Sequence, residues 1–122
     1  MDWCDSNNLP VRGHYLSWAT LSGPDAWGAN NPDADPAAIQ GDVFAHIADK
    51  LATVGTRIKE WDVINHPIGW GLTNYQDLYG PDIYPEIVSL ARNLAPAGTE
   101  LWMNEDDILN GGAVSDLSLI HI

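Results

Sequence analysis

The stretch that decides the fold of this chain is Glu60-Trp61-Asp62-Val63-Ile64-Asn65-His66-Pro67. Its aromatic and β-branched residues predict a buried strand, and Pro67 predicts where that strand ends. Asn65 and His66 then lie where the strand leaves the sheet, and α/β folds build their functional sites at the carboxyl ends of strands. Taken alone, however, this pattern favours an ordinary core strand that a proline closes.

Two further segments have the composition of strands. Leu9 to Trp18 mixes apolar and polar residues, and Gly13 within it indicates a close approach of backbone to a neighbouring group. Leu101 to Met103 is shorter and is followed by the polar run Asn104-Glu105-Asp106-Asp107. All three predicted strands therefore end in polar side chains.

Two amphipathic helices separate the strands. Asp35 is a predicted N-cap with Pro36 at the first helical position, and apolar residues recur at helical spacing from there to Gly55. The second helix runs from about Ile83 to Leu94. Alternation of strands and helices predicts an α/β fold with right-handed crossovers and a parallel sheet.

The remaining segments are predicted to be mostly irregular. Asn7-Asn8 indicates a turn or the end of a helix, and the residues before it include Trp3 and Cys4 as candidates for burial. Leu21 to Asp35 and Ile68 to Gly80 carry loop signals, and long loops are often functional. Aromatic residues of these loops can line a groove, although packing is the commoner use of such residues: Trp27, Trp70 and Tyr75.

Composition narrows the class of protein. The chain has 122 residues, of which 45% are hydrophobic, so it forms at most one small domain. Its net charge of -12 repels phosphate backbones and anionic membranes, which argues against nucleic acid as a partner. Cys4 is the single cysteine, so an internal disulfide is excluded. No apolar run is long enough for a membrane span, and the first residues lack the pattern of a signal peptide.

Three segments carry a resemblance to a known family: Val11-Arg12-Gly13-His14-Tyr15-Leu16-Ser17-Trp18, Trp61-Asp62-Val63-Ile64-Asn65-His66 and Leu101-Trp102-Met103-Asn104-Glu105. Together they resemble the third, fourth and fifth barrel strands of family 10 glycoside hydrolases, the retaining β-xylanases built on a (β/α)8 TIM barrel. The resemblance implies a partial barrel and a polysaccharide or oligosaccharide substrate, xylan above all, with no cofactor. Three motifs in the family's order are more specific than any one of them.

The resemblance also implies roles for individual side chains. His14 resembles the histidine that contacts the sugar beside the scissile bond, and Trp18 resembles the tryptophan that follows the third strand. Asn65 resembles the asparagine that binds the sugar 2-hydroxyl, a contact that strengthens in the transition state. Asp62 and Asn104 resemble polar residues that order the hydrogen bonds of the site. The alternative for each is a buried polar group that is satisfied within the barrel.

Departures from the family are equally informative. His66 stands where the family has its acid/base glutamate, Ala19 replaces a histidine, and Asp106 takes the place of the tyrosine in the fifth-strand motif. The family's nucleophile is a glutamate on the seventh strand, which has no counterpart in this sequence. Retaining chemistry needs two carboxyl groups about 5 to 5.5 Å apart, so the resemblance leaves the catalytic pair incomplete.

Three hypotheses follow for the site. In the first, the parent protein is a glycoside hydrolase in which His66 donates the proton, since imidazoles titrate close to neutral pH, and Glu105 supports the site or supplies a displaced carboxylate, as Asp106 or Asp107 also could. In the second, the parent is a carbohydrate-binding pseudo-enzyme. The third, a metal site from His14, His66 and Glu105, has suitable ligand types but no diagnostic spacing.

The sequence is also expected to be a piece of a longer protein. Residues 1–112 fit a central fragment of the barrel, whereas 113–122 are expected to be a non-native tail, because Leu117 to Ile122 looks like a translated sequencing adaptor. Such a fragment is expected to be unstable and inactive alone, because a complete barrel takes about 250 residues. The compartment stays undetermined from these residues, with a secreted or periplasmic parent as the expectation.

Overall fold

A computed structural model describes residues 2–18, 35–67 and 75–105 of the chain. Within them lies a three-stranded sheet in the order β1-β2-β3, and both strand pairs are parallel. The strands are β1 (Arg12–Trp18), β2 (Glu60–Asn65) and β3 (Glu100–Asn104). The predicted parallel α/β arrangement is confirmed, and β2, the strand that decides the fold, is the central one.

Helices connect and cover the strands. They are α1 (Asp2–Ser6), α2 (Pro36–Val54), α3 (Tyr75–Tyr79) and α4 (Ile83–Leu94), and a 3-10 turn, Gly55–Arg57, follows α2. The predicted bounds of α2 and α4 are confirmed. β1 and β2 are shorter than the sequence patterns indicated, whereas β3 extends one residue beyond Leu101 to Met103 at each end. None of the helices within the described ranges is long and apolar enough to cross a membrane.

The ends of α2 follow from its capping residues. An Asp35 carboxylate oxygen accepts a hydrogen bond from the Ala37 N–H at 3.2 Å, which satisfies one of the donors left open at a helix start. At the other end Gly55 has a φ of +55°, and its N–H donates to the Leu51 carbonyl. Glycine adopts this left-handed conformation without a steric penalty, so the helix ends where Gly55 was predicted to close it.

The core lies between the sheet and the helices α2 and α4, which contact β1 and β2 respectively and also contact each other. A Cβ added at Gly13 would lie 2.2 Å from Cε3 of Trp61, so the predicted close approach at Gly13 is confirmed and its cause is the indole ring. The core is formed by buried apolar side chains from both layers: Leu16, Ile39, Val43, Ile47, Leu51, Ile58, Trp61, Val63, Ile64, Tyr75, Ile83, Tyr84, Ile87, Ala91 and Leu101.

The structure corrects three expectations. Trp3 is 69% exposed and Cys4 is half-buried, because α1 packs too loosely to bury them. Within the predicted loop from Ile68 to Gly80, residues 75–79 form α3. Tyr75, expected to line a groove, is only 1% exposed, because its ring packs into the core beside Tyr79. The other loop aromatics, Trp27 and Trp70, lie outside the described residues, as do 106–122.

Irregular pairing occurs near the carboxyl end of the sheet. The register shifts between His14 and Ser17 on β1, and again between Asp62 and Ile64 on β2. Such bulges change the direction of side chains and are frequent beside active sites. Here they lie immediately before the strand ends whose polar residues the sequence singled out.

Candidate active site

The last residues of the three strands lie side by side at one edge of the sheet. Trp18 pairs with Asn65 in the β1–β2 register, and Asn65 pairs with Asn104 in the β2–β3 register. Since the strands are parallel, their carboxyl ends meet at this edge. The edge therefore brings together five predicted site residues: Trp18, Asn65, His66, Asn104 and Glu105.

Asn65 and Asn104 form a hydrogen-bonded pair. The Asn104 Nδ2 donates to the Asn65 Oδ1 at 2.6 Å, and Asn65 is almost completely buried. A buried amide needs such a partner, because an unsatisfied one costs about 1 to 3 kcal/mol. The pair fixes which atoms of Asn65 face Asn104 and so orders the amide that the family resemblance places against a sugar hydroxyl.

His66 follows β2 in an unusual backbone conformation. Its φ is +55°, in the left-handed region that residues other than glycine enter at a cost, and such residues cluster at functional sites. Its N–H donates to the Asn104 carbonyl at 2.8 Å, which extends the pairing of β2 with β3 by one step. The imidazole ring lies against the Trp18 indole, with 4.9 Å between centroids.

The imidazole of His66 is paired with the carboxylate of Glu105. His66 Nδ1 and Glu105 Oε1 are 3.0 Å apart, and the two side chains are only 10% and 4% exposed. Little water competes for this contact, so it is stronger than a surface ion pair of the same length. We call His66 and Glu105 the mouth pair.

Tyr84 supports the mouth pair and was missed by sequence reasoning. Its hydroxyl donates to the Pro67 carbonyl at 2.7 Å, so it anchors the residue next to His66. Burial raises the pKa of the Tyr84 hydroxyl, and the charges of Asp77 and Glu105 raise it further. Tyr84 therefore stays a neutral donor at ordinary pH. No local pattern in α4 marks this tyrosine among other apolar positions of the helix.

A second cluster lies on β1 and β2, closer to their amino ends. The Asp62 carboxylate accepts hydrogen bonds from Arg12, at 2.5 Å from Nη2 and 3.3 Å from Nε, and lies 3.0 Å from His14 Nδ1. The Arg12 guanidinium also lies over the Trp102 ring, 5.2 Å from its centroid. Hydrogen bonding to Asp62 raises the pKa of Arg12 above its ordinary value. We call Arg12, His14 and Asp62 the inner cluster.

Arg12 is the member of the inner cluster to which no role was assigned from sequence. It precedes His14 by two residues, and residues two apart on a strand share a face of the sheet. That spacing, together with Asp62 opposite His14, was the available signal. A cavity of about 370 Å³ opens beside this cluster, and its lining includes Arg12, His14, Tyr15 and Lys50.

Aromatic rings connect the inner cluster to the mouth pair. Ring centroids are 4.9 Å apart for His14 and Tyr15, 5.2 Å for Tyr15 and Trp18, and 4.9 Å for Trp18 and His66. The two histidines thus lie in one continuous row of rings, but each is paired with a different carboxylate. The three-residue metal site imagined for His14, His66 and Glu105 is not formed, and residues 2–18, 35–67 and 75–105 contain no group of three metal-ligating side chains.

Comparison with known proteins identifies the family of the chain. The sequence model of glycosyl hydrolase family 10 matches residues 1–116. Endo-1,4-beta-xylanase 1 of Arabidopsis thaliana is 29% identical over 111 residues, which cover 91% of this chain and 11% of that protein. Endo-1,4-beta-xylanase 3 of the same plant is 26% identical and is covered to 14%.

Solved structures show the same fold. A GH10 endoxylanase retrieved from sugarcane soil metagenome superposes with a TM-score of 0.71 at 21% identity, covering 88% of this chain and 32% of that one. TsXylA, an intracellular xylanase from Thermoanaerobacterium saccharolyticum solved as a mutant with xylotriose, gives a TM-score of 0.71 at 25% identity and covers 93% and 39%. The chain therefore spans about a tenth of its curated relatives and about a third of these solved structures, and its sheet corresponds to part of a TIM barrel.

Proposed function

Because this chain belongs to glycosyl hydrolase family 10, we propose that its parent protein is a glycoside hydrolase of the endo-1,4-β-xylanase type that acts on xylan-like plant polysaccharide. The observation that carries the proposal is the cluster of Asn65, His66, Asn104 and Glu105 at the carboxyl edge of a parallel sheet, where barrel enzymes hold their sites. Xylanases among the relatives and solved structures support the substrate class.

In this proposal His66 donates a proton to the oxygen of the leaving sugar. Its position directly after Asn65, its strained backbone and its buried carboxylate partner are features of a held catalytic group rather than of a surface residue. Asn65 binds the sugar 2-hydroxyl, while Trp18, His14 and Asn104 contact neighbouring parts of the substrate. Asp62 orders His14 from beneath through the 3.0 Å contact with its ring.

In this proposal the nucleophile lies on a barrel strand of the parent protein to which no segment of this chain corresponds. Retention needs a second carboxylate about 5 to 5.5 Å from the proton donor. In the parent gene, a downstream strand that ends in a glutamate of the Thr-Glu-Leu-Asp type would supply this group. A replacement of that glutamate as well would remove the enzyme proposal.

The decisive experiment compares two substrates in the full-length protein. Xylan has a poor leaving group and needs an acid, whereas a dinitrophenyl xyloside has a leaving group that departs without a proton. His66→Ala is expected to lower turnover of xylan by about 10² to 10⁴-fold and to leave the dinitrophenyl substrate much less affected. His46→Ala, which changes a histidine on α2, is the matched control.

Unchanged turnover of xylan in His66→Ala would remove His66 from the mechanism. An equal loss on both substrates would also contradict the proposal, since it would show damage to the site rather than loss of a proton donor.

A second candidate function is carbohydrate binding without turnover. The observation that favours it is the replacement of the expected glutamate by His66, while Trp18 and Asn65 remain at the edge of the sheet. Calorimetry with xylo-oligosaccharides on the full-length protein discriminates between the two functions. Binding without any hydrolysis would support the pseudo-enzyme, and absence of binding would exclude it.

The 122-residue chain by itself is proposed to be inactive and weakly cooperative. Within the described residues β1 and β3 are the outer strands of the sheet, so each presents unpaired backbone groups along one side. Thermal unfolding of the isolated chain should be broad and accompanied by aggregation. A sharp two-state transition of a monomer would contradict this expectation. Residues 113–122 are proposed to be an adaptor-derived tail, which the sequence of the parent gene at this point would test.

A further inference from the structure

Contacts with three of the described residues, Asn104, Trp18 and Glu105, hold His66 in place. Its backbone N–H donates to the Asn104 carbonyl, its ring lies 4.9 Å from the Trp18 ring at an angle of 54°, and its Nδ1 lies 3.0 Å from the Glu105 carboxylate. The backbone contact fixes where the side chain starts, and the other two fix its rotation. The ring therefore has a defined orientation before any ligand binds, which is what proton transfer requires.

From this arrangement we propose that Glu105 is the positioning residue for His66, and that it keeps a proton on Nδ1. Because a carboxylate can only accept a hydrogen bond, the nitrogen that faces Glu105 must carry hydrogen. The two nitrogens flank Cε1 and their N–H directions diverge, so with Nδ1 directed at Glu105 we assign Nε2 as the atom that exchanges a proton with the sugar. This assignment rests on the proposed glycosidase function of His66.

The proton balance of the proposed step is simple. The imidazolium gives the hydrogen on Nε2 to the leaving oxygen, and that oxygen keeps the electron pair of the broken glycosidic bond. The carboxylate nucleophile from elsewhere in the parent protein forms the new bond to the sugar carbon. His66 becomes neutral with its remaining hydrogen on Nδ1, and Glu105 stays ionised throughout. Its role is to hold the tautomer and orientation, as the carboxylate does behind the histidine of serine-protease triads.

This assignment replaces the idea that Glu105 is itself a displaced acid. A proton donor must present its hydrogen to the substrate, whereas the Glu105 side chain is 4% exposed and lies against a ring nitrogen. Its oxygen is used as an acceptor. Glu105 thus acts through His66 and not on the sugar.

The test reads the tautomer directly and does not depend on activity. Nitrogen-15 NMR of histidine-labelled full-length protein should show His66, identified by its loss in His66→Ala, with hydrogen on Nδ1 in the neutral form. Glu105→Gln keeps the shape of the side chain but can donate as well as accept, so the Nε2–H tautomer should appear and kcat on xylan should fall on the order of 10²-fold, with KM little changed. Glu86→Gln, an exposed glutamate on α4, is the matched control.

Three results would overturn the proposal. The first is a wild-type His66 with hydrogen on Nε2 alone. The second is a Glu105→Gln variant with unaltered tautomer and kcat. The third is complete loss of turnover in Glu105→Gln while His66 keeps its Nδ1–H form, because Glu105 would then be the acid. If the tautomer responds as expected but His66→Ala still hydrolyses xylan, the positioning contact stands and the proposed function fails.

Discussion

Two histidine–carboxylate pairs with the same nitrogen–oxygen distance lie on the same sheet. They differ in burial and in the charged groups beside them. His14 and Asp62 are 3.0 Å apart, as are His66 and Glu105. The His14 side chain is 52% exposed, whereas His66 is 10% exposed. Asp62 is also bound by Arg12, so that carboxylate has a permanent cation beside it whatever the protonation state of His14.

This difference suggests separate roles for the two pairs, one in stabilising the sheet and one in the proposed reaction. In the inner cluster the Arg12–Asp62 contact joins β1 to β2, and the Arg12 cation compensates the charge of Asp62 independently of His14. In the mouth pair the Glu105 carboxylate is the partner of a nearly buried imidazole, so this contact holds the ring in position. We therefore expect the Arg12–Asp62 contact to contribute mainly to stability and the mouth pair to contribute mainly to turnover.

The largest effect on stability is expected at Asp62. Asp62→Ala removes the acceptor of Arg12 and His14 and leaves a void in a nearly buried position. Hydrogen bonds to charged groups contribute about 1.5 to 3 kcal/mol, and the part-exposed Arg12 can regain water. The free energy of unfolding of the full-length protein should fall by about 2 to 3 kcal/mol, measured by urea denaturation.

Glu86→Gln on the surface of α4 is the control, with an expected change within about 0.5 kcal/mol. If Asp62→Ala lowers the free energy of unfolding by no more than this control does, the inner cluster does not stabilise the fold. The proposed difference between the two pairs would then be wrong.

A smaller effect is expected at Tyr84, which anchors Pro67 beside the mouth pair. Tyr84→Phe deletes the hydrogen bond to the Pro67 carbonyl and the contact of the hydroxyl with the Gln76 backbone, and it should lower the free energy of unfolding by about 1 kcal/mol. Burial raises the pKa of Tyr84, so the folded state keeps this proton after the unfolded state has lost it. The stabilisation is therefore complete below pH of about 10 and is lost as the pH rises toward the folded-state pKa.

Urea denaturation at several alkaline pH values checks this prediction. Wild type should lose stability with pH more steeply than Tyr84→Phe, and the difference between the two slopes cancels the contribution of other tyrosines. Parallel slopes would show that the pKa of Tyr84 is not raised in the folded state and that its hydroxyl does not stabilise the segment beside the mouth pair.

The smallest effect is expected at a third set of ion pairs, which provides a baseline for the other two. Arg57 contacts Asp2 at 2.6 Å and Asp5 at 2.5 Å, and the Asp2 side chain is fully open to solvent. The hydrogen bond from Arg57 lowers the pKa of Asp2. Arg57→Ala should raise the pKa of Asp2 toward its ordinary value while the unfolding midpoint stays unchanged.

An NMR titration of the Asp2 carboxyl carbon measures the first part, and thermal unfolding measures the second. A clear drop in the unfolding midpoint would mean that the length of an ion pair, and not its burial, determines how much it contributes to stability.

Much of the framework was predictable because it depends on local rules. Apolar spacing, the Asp35 cap and Gly55 placed α2, and the same kind of pattern placed α4. Polar residues after each strand indicated the edge at which Trp18, Asn65 and Asn104 meet, since parallel strands end together. Gly13 signalled a close contact, although only the structure identified the Trp61 ring as its cause.

Other features depended on register and packing, which a single sequence does not reveal. Tyr75 has the composition of a groove residue, yet α3 turns its ring into the core beside Tyr79. Tyr84 is one apolar position among several in α4 until the position of Pro67 is known. Trp3 was expected to be buried, but α1 has no buried residue.

The sequence by itself determined the order of elements, the family and the residue types that follow each strand, because these are properties of residues taken in order. Only the tertiary structure decided which carboxylate faces which histidine. His66 and Glu105 are 39 positions apart, and they meet because the β2–β3 register and the left-handed turn at His66 bring their side chains to one point. Register shifts at the bulges set these directions, and a pattern of residue types carries no information about them.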